Sequence, residues 1–358
     1  MIPLTSDTET KPTQRMRHFM AAAEVGDEQK GEDPTVNLLL ERVADLLGKE
    51  AALFLPGGTM CNFVAIKVHT RPADAIFADH MAHIVRAESA GVAFSSGVLI
   101  EPIPSERGIF SAQDLDQAIS KVTTAPSPYS PPPRLLCVEQ THNFGGGSVW
   151  KLDELRAVCE RARLSSLSVH MDGARLLNAV VATGSPAREF AALVDSVWID
   201  FTKGLGAPVG AVLAGSRDFI KEARRHKHIF GGALRQAGIV AAGCLYALDH
   251  HVERLREDHD NARHLAKGLS EISGIRVRSL EPETNMVFFD VSGLGLEFAA
   301  FLAALKERGV LMGAAGGYIR AVTHLDVTRE GVETTISAVA DIAREALGRR
   351  THRTTARA

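Results

Sequence analysis

The 358-residue sequence lacks the features that mark membrane, secreted and nucleic-acid-binding proteins. No apolar run approaches the roughly 18 residues that span a bilayer, and the N-terminus shows neither the basic nor the apolar segment of a secretory signal. The 40 Lys and Arg residues nearly balance the 43 Asp and Glu residues, so no excess charge attracts nucleic acid or an anionic membrane. These absences favour a cytoplasmic globular protein.

Cysteine is also scarce, and the four residues of this type never form a CxxC pair. One of them, Cys137, lies in the apolar run Leu135–Val138, which is typical of a buried strand. We therefore expect reduced, buried thiols rather than disulfides, and we expect no metal site.

Short apolar runs alternate with helical patterns along most of the chain, which predicts an α/β fold with a mainly parallel sheet. The predicted strands are Ala51–Leu55, Ala75–Ala78, Val98–Ile103, Leu135–Glu139, Leu167–Asp172 and Ser196–Asp200. Beyond about residue 250, a long polar helix and more widely spaced strands indicate a smaller α+β domain. The expected segments are an N-terminal arm (1–20), a large α/β domain (21–252), a small C-terminal α+β domain (253–348) and a disordered basic tail (349–358).

Two polar residues follow successive predicted strands of the large domain. Asp172 ends the strand Leu167–Asp172, and Lys203 follows the strand Ser196–Asp200 in a glycine-rich turn. They are 31 positions apart, which is enough for one helix and the next strand. Ligands of parallel sheets bind beyond the carboxyl ends of the strands, so both side chains are expected to face one ligand.

This pair of residues suits pyridoxal phosphate, because a lysine forms a Schiff base with its aldehyde and a carboxylate keeps its pyridine nitrogen protonated. The phosphate needs a helix N-terminus, which Gly57–Thr59 supplies, and Thr202 adds a hydroxyl. His83 is a candidate to stack on the cofactor ring. Each feature taken alone is common in structural roles, such as an aspartate that caps a helix or a lysine on the surface. Their combination, in this order, favours a cofactor site.

The chain resembles the low-specificity L-threonine aldolases, which belong to the aspartate-aminotransferase-like class (fold type I) of pyridoxal-phosphate enzymes. The likeness runs from Ser6 to about Arg329. The matching segments are Ser6–Thr13, Gly31–Val36, Gly48–Asn62, Ala82–Ile84, Thr141–Asn143, His170–Ala179, Thr202–Ile220, Leu234–Gly238 and Arg320–Glu330. The fold implied is that of the fold type I, pyridoxal-phosphate-dependent transferase-like enzymes.

The resemblance also implies a role for each matching residue. Lys203 carries the cofactor, Asp172 pairs with the pyridine nitrogen, and His83 stacks on the ring. The residues implied in phosphate binding are Gly58, Thr59, Thr202 and Arg235, with Arg235 available from another subunit. The residues implied in binding the substrate carboxylate are Ser6, Arg175 and Arg320, of which Arg175 also contacts the cofactor. His83 and His142 are the candidates that handle the proton of the β-hydroxyl, directly or through water, and the family implies a homotetramer.

The implied reaction is cleavage of the Cα–Cβ bond of L-threonine, L-allo-threonine or a related β-hydroxy-α-amino acid to glycine and an aldehyde. One alternative is another reaction on the same scaffold: β-elimination, racemisation, transamination or cleavage of an α-methyl substrate. A second alternative is a non-enzymatic binder of pyridoxal phosphate. Asp172, Arg175, Lys203 and Arg320 are all present, which favours an enzyme.

The sequence departs from the family pattern at three positions near these motifs. Lys30 stands before Gly31, where the family usually has a tyrosine that is expected near the cofactor. Gln140 replaces a common asparagine, and Thr202 replaces the usual serine while it retains a hydroxyl. These differences bear on the choice of substrate, which the sequence leaves open.

Overall fold

A computed structural model describes residues 1–355 of the chain, with side chains through Arg349. The chain forms a large unit, Pro12–Val252, and a small unit that joins Met1–Lys11 to Glu253–Ala358. The boundary at Glu253 coincides with the predicted start of the small domain. The segment predicted as an N-terminal arm is divided, because strand β1 (Ile2–Pro3) belongs to the small unit and helix α1 (Gln14–Ala21) to the large one.

The large unit is built on a seven-stranded sheet. Its strands are β2 (Ala51–Leu55), β3 (Ala75–Asp79), β4 (Leu99–Ile103), β5 (Pro133–Glu139), β6 (Ser168–Asp172), β7 (Ser196–Asp200) and β8 (Ala211–Gly215). They lie in the order β2-β8-β7-β6-β5-β3-β4. The ladders from β4 to β7 are parallel, whereas β8 runs antiparallel to both β2 and β7. The predicted mainly parallel sheet is confirmed, and β8 is an additional strand.

Helices connect these strands and bury the apolar side chains of the sheet. They are α2 (Pro34–Leu47), α3 (Gly58–His69), α4 (His83–Arg86), α5 (Gly91–Ser96), α6 (Ala112–Val122), α7 (Leu152–Leu164), α8 (Leu176–Thr183), α9 (Ala187–Ala191), α10 (Arg217–Ile229) and α11 (Gly238–His250). Two residues set the ends of helix α2: the Asp33 side chain accepts a hydrogen bond from Val36 N, and Gly48 closes the helix with a left-handed backbone. All four cysteines are buried and free, as predicted.

The small unit packs three helices against an antiparallel sheet of order β12-β13-β10-β9. Its elements are α12 (Leu255–Ser270), β9 (Arg276–Val277), β10 (Met286–Asp290), α13 (Phe298–Glu307), β11 (Val310–Leu311), β12 (Gly313–Ala315), β13 (Tyr318–Val322) and α14 (Arg329–Thr355). The N-terminal strand β1 pairs with β11, and His324 Nε2 donates to the carbonyl of Pro3 at 2.7 Å. These contacts explain why the first residues belong to this unit.

The C-terminal segment differs from the predicted disordered tail, because α14 continues through Thr355. The sequence near this point contains no proline, and Arg349 lies 3.8 Å from Glu345 one turn earlier, a spacing that supports a helix. The last part of the predicted tail, 356–358, lies outside the described residues. Among the helices described, none combines the length and the apolar character required to cross a membrane.

Candidate active site

The structure places Asp172 and Lys203 at the carboxyl ends of adjacent strands. Asp172 is the last residue of β6, Lys203 follows the end of β7, and the two strands are hydrogen-bonded neighbours. A Cβ atom on Gly173 would lie 2.0 Å from the carbonyl oxygen of Trp198, so only glycine lets the chain leave β6 this close to β7. The arrangement of strands inferred from the spacing of the two residues is confirmed.

The Asp172 carboxylate is buried and accepts two hydrogen bonds within the large unit. Its Oδ2 accepts from Asn62 Nδ2 at 2.9 Å, and its Oδ1 accepts from the backbone N–H of Ala174 at 3.1 Å. Burial and the charge of Glu139 raise the pKa of Asp172 to about 6, against the opposing charges of His83 and Lys203. A cation placed beside this carboxylate would therefore favour its ionised form.

Lys203 and Thr202 both contact Asp200, the last residue of β7. Lys203 Nζ lies 3.0 Å from Asp200 Oδ2 and 5.7 Å from the centre of the Trp198 ring. The backbone N–H and the hydroxyl of Thr202 donate to Asp200 Oδ1 at 2.8 and 2.7 Å. Asp200 is buried, and its contacts with Thr202 and Lys203 hold in place the turn that carries the lysine.

His83 opens the short helix α4 and is held at two points by carboxylates. Its backbone N–H donates to Glu139 Oε2, and its ring Nδ1 donates to Glu88 Oε1, each at 2.8 Å. Burial alone would lower the pKa of His83, but the hydrogen bond to Glu88 and the nearby carboxylate charges outweigh it and raise the pKa. One third of the side chain is exposed, which leaves Nε2 as the nitrogen available to a ligand.

His142 is enclosed, in contrast to His83. Its Nδ1 accepts a hydrogen bond from the backbone N–H of Gly145 at 3.0 Å, and its Nε2 lies 3.2 Å from Asp79 Oδ1 in an ion-pair contact. The ring is fully buried under Gly108, where a Cβ atom would lie 2.0 Å from it. Burial opposes protonation, but the charges of Glu139 and Asp79 prevail and raise the pKa of His142.

The N-terminus of α3 offers the donors that a phosphate needs. Its cap, Gly57, has no side chain, and the N–H groups of Gly58 and Thr59 lie in the first turn, where a helix has no acceptors of its own. A Cβ atom on Gly58 would lie 2.1 Å from the Trp198 ring, so glycine is required for this helix to pack against β7. Arg235 lies elsewhere on the large unit, with an exposed guanidinium 3.3 Å from Asp27.

Two recesses in the large unit lie at the ends of these strands. One, of about 230 Å³, is lined by residues that include Arg175, Asp200 and Lys203. The other, of about 210 Å³, is lined by residues that include Asn62, His83, Glu139 and Asp172. The predicted residues of the large unit that line them are therefore Arg175, Lys203, His83 and Asp172.

One ligand atom from each of His83, Glu88 and Asp172 lies within 4.8 Å of the others, an arrangement compatible with a metal ion. The same atoms are joined by hydrogen bonds: Glu88 accepts from His83 and from Asn62, and Asp172 accepts from Asn62. The three side chains therefore belong to one connected hydrogen-bond network.

The remaining predicted residues belong to the small unit. Arg320 lies on β13, and its Nη2 donates to the carbonyl of Thr5 at 3.1 Å, which brings it next to Ser6 in the chain. The Ser6 hydroxyl caps a short 3₁₀ helix and accepts from the N–H of Thr8. Arg320 therefore lies beside the chain segment that carries Ser6.

Four residues that contact the predicted site were not singled out in the sequence: Asn62, Glu88, Glu139 and Asp200. Asp200 carried a detectable signal, because it is a charged residue within the apolar run Val197–Phe201. Asn62 and Glu139 lie within or next to the motifs, yet nothing in the sequence shows what they contact. Glu88 lies between two short helices and carries no signal of this kind.

The chain is similar to known proteins over most of its length. Residues 3–292 match the family described as beta-eliminating lyase. The low specificity L-threonine aldolase of Escherichia coli (strain K12) is 42% identical over 331 residues, which cover 92% of this chain and 96% of that protein. The low-specificity L-threonine aldolase 1 of Arabidopsis thaliana is 38% identical over 341 residues, which cover 94% of each chain. The solved threonine aldolase of Leishmania major has a TM-score of 0.81 at 20% identity and covers 96% of this chain and 100% of its own, which confirms the predicted fold class.

Proposed function

Because the chain belongs to the beta-eliminating lyase family, we propose that it cleaves the Cα–Cβ bond of L-threonine, L-allo-threonine or a related β-hydroxy-α-amino acid to glycine and an aldehyde. The cofactor is pyridoxal phosphate, which when bound supplies an electron sink for bond cleavage at Cα. The observation that carries the proposal is the position of Asp172 and Lys203 on adjacent strand ends of one sheet.

The residues of the large unit fit this cofactor. Lys203 supplies the amine that holds it covalently, and Asp172 supplies a buried carboxylate for the protonated ring nitrogen. Gly58 and Thr59 supply N–H groups for the phosphate at the start of α3. Thr202 is proposed as a further phosphate ligand, although its hydroxyl donates to Asp200 here and would have to turn.

We propose that His83 is the base that removes the proton of the substrate β-hydroxyl. Its Nδ1–H is engaged by Glu88, so the neutral ring presents the Nε2 lone pair as the base. His142 is enclosed, with Nδ1 bonded to Gly145 and Nε2 in ion-pair contact with Asp79 and Glu139, and it is proposed to support the site through these carboxylates. The resemblance implies, in addition, that His142 handles the β-hydroxyl proton directly or through water.

We propose that the substrate carboxylate is bound by Arg175, Arg320 and Ser6. A guanidinium binds a carboxylate with two parallel hydrogen bonds, which fixes rotation about Cα and so selects the bond that breaks. Arg175 follows β6 directly and lines the same recess as Lys203. Arg235 stays a proposed phosphate ligand from another subunit, and its exposed side chain is compatible with that role.

We also propose that the protein is a cytoplasmic homotetramer. Helix α11 packs on both α1 and α2, and the three helices carry half-exposed apolar side chains: Phe19, Leu38 and Ile239. Such apolar surface supports self-association.

The proposal is tested by identifying the products formed by the cofactor-loaded protein from L-threonine and L-allo-threonine. We expect equal amounts of acetaldehyde and glycine, with D-threonine as the control substrate that is left intact. A keto acid with ammonia, or an inverted amino acid without aldehyde, would instead assign β-elimination or racemisation. Absence of any product from these substrates, with cofactor bound, would direct the assay to bulkier and α-methylated β-hydroxy amino acids and would contradict threonine cleavage.

The raised pKa of His83 predicts a pH dependence. The base must be neutral, so kcat/KM is expected to rise with pH through a midpoint above the ordinary histidine value of about 6.5. Glu88 raises the pKa of His83, so Glu88→Gln is expected to move the midpoint to lower pH. The measurement is aldehyde release at low substrate across pH 5–9, with Glu222→Gln, an exposed residue of α10, as the control. An unmoved midpoint in Glu88→Gln would assign the titration to another group.

A further inference from the structure

Asn62 is the centre of a buried hydrogen-bond network next to the proposed cofactor site. It lies on α3, one turn after Gly58, and its side chain is fully buried. Its Nδ2 donates to Asp172 Oδ2 at 2.9 Å and to Glu88 Oε1 at 2.8 Å. Its Oδ1 lies 2.8 Å from Trp198 Nε1 and 3.2 Å from His170 Nε2. All the donors of the amide and both acceptor positions are therefore in use.

The partners fix the orientation of this amide and the protonation of its neighbours. Trp198 Nε1 can only donate, so the Asn62 oxygen must face it and the Asn62 nitrogen must face the two carboxylates. The same oxygen requires a proton on His170 Nε2. His170 Nδ1 then accepts from the Ser196 hydroxyl at 2.8 Å, and the Ser196 oxygen accepts from His69 Nε2 at 2.8 Å. Burial lowers the pKa of His170 to about 3 and that of His69 to about 4, so both rings are neutral.

The network therefore delivers neutral donors to two carboxylates that have different roles. Asp172 is assigned to the ring nitrogen of the cofactor, and Glu88 holds the His83 ring through Nδ1. Both carboxylates are buried, where an ionised group that loses a hydrogen bond takes up a proton more readily. The Asn62 amide thus supports Asp172 directly and His83 through Glu88. Asp172 and His83 are expected on different parts of the same cofactor.

We propose that Asn62 is a positioning residue that keeps the Asp172 carboxylate charged and oriented as the partner of the cofactor's ring nitrogen, and that ties it to the Glu88–His83 pair. This inference rests on the proposed function only in that the site binds pyridoxal phosphate; it does not depend on which amino acid is cleaved. Asn62 does not touch the reacting atoms, and it acts through Asp172 and Glu88.

The test is the affinity of the unloaded protein for pyridoxal phosphate, measured by titration at pH values from 5 to 8.5. In the wild type, binding is expected to weaken as pH falls through about 6, where Asp172 takes up a proton. Asn62→Ala removes a hydrogen bond that Asp172 accepts, so the pKa of Asp172 is expected to rise and binding to weaken at a pH about one unit higher. At pH 5, below both pKa values, its affinity is expected to fall about 10-fold, since one pKa unit corresponds to a tenfold change, and at pH 7 the expected fall is about 2-fold.

The matched control is Ser196→Ala, which breaks two hydrogen bonds of the same network without touching Asp172 or Glu88. It is expected to lower the melting temperature as Asn62→Ala does, but to keep the wild-type affinity and its pH dependence. Asn62→Ser, which keeps a small donor, serves if the alanine variant does not fold, and an intermediate shift is expected.

Equal affinity and an unmoved pH dependence in Asn62→Ala would overturn the inference and make Asn62 a purely structural residue. The same shift in Ser196→Ala would also overturn it, because general loosening of the network would then be the cause. A wild-type protein that binds no pyridoxal phosphate would contradict the proposed function itself, which is a different result.

Discussion

Aldehyde release from L-threonine is expected to fall at least about 10³-fold when Lys203 is replaced by alanine. An alanine cannot form the covalent link to the cofactor, and loss of a covalent nucleophile typically costs several orders of magnitude in rate. Lys203 emerges from the buried turn after β7 with Nζ 3.0 Å from Asp200, so no rearrangement of the sheet is needed to present it. The visible absorption band of the bound cofactor is expected to disappear with the activity.

The control for this experiment is Lys221→Ala, which removes the same charge from the exposed side of α10. This variant is expected to retain the wild-type rate and the absorption band. Circular dichroism of Lys203→Ala should match the wild type, whereas the unfolding midpoint is expected to fall because the buried Asp200 loses its ion-pair partner, so rates are compared well below that midpoint. A Lys203→Ala enzyme with a wild-type rate would refute the assignment of the cofactor to this residue.

The pair Asp172 and Lys203 could be predicted from the sequence because it depends on local patterns. Apolar runs located β6 and β7, and the spacing between the two residues fits a single crossover between adjacent strands, which contains the two short helices α8 and α9. The reversed strand β8 could not be assigned from apolar character alone. It follows β7 after only ten residues, too few for the crossover that a parallel neighbour requires, so chain length determines its direction.

The network around Asp172 lay beyond sequence reasoning for a different reason. Asn62 lies on α3, Glu139 ends β5 and Glu88 lies between α4 and α5, so their contacts arise only when these parts of the chain are packed. A polar residue in a sequence shows its chemistry but not its partners. The two candidate histidines illustrate the same limit, since sequence treated His83 and His142 alike and only the fold encloses one of them.

A second large effect is expected from Glu28→Gln, which should lower the free energy of unfolding by about 3–5 kcal/mol. Glu28 Oε1 lies 2.5 Å from Lys227 Nζ, and both side chains are almost completely buried. Removal of the carboxylate charge leaves a buried ammonium without compensation. Urea unfolding followed by tryptophan fluorescence reports the relevant unit, because Trp150 and Trp198 both lie within Pro12–Val252.

The matched control is the double variant Glu28→Gln, Lys227→Met, which removes both charges. It is expected to recover most of the lost stability, because a buried ion pair replaced by uncharged side chains of similar size is often close to neutral. If the double variant is as unstable as Glu28→Gln, packing and not charge is responsible.

The pH dependence of the single variant separates these causes further. Burial already lowers the pKa of Lys227 against the opposing effect of Glu28, so Glu28→Gln must lower it more. The unfolded chain then binds a proton that the folded chain has lost, and stability rises with pH until the ordinary lysine value of about 10.4. If the free energy of unfolding of Glu28→Gln, relative to that of the wild type, does not rise between pH 7 and 9, Lys227 is not an uncompensated buried charge in the variant.

Glu28 of the buried pair also contacts residues next to the proposed site. The Glu28 N–H donates to the carbonyl of Arg235 at 2.9 Å, and Glu28 Oε2 accepts from Leu234 N at 3.4 Å, so the carboxylate joins the loop that carries Lys30 to the segment that carries Arg235. Arg235 is the proposed phosphate ligand for another subunit, and Lys30 stands at the position where the family usually has a tyrosine. Glu28→Gln is therefore expected to displace the segment that carries Arg235 and so to weaken cofactor binding. Lys30→Tyr leaves the buried Glu28–Lys227 pair intact, so it is expected to change the choice of substrate without loss of stability.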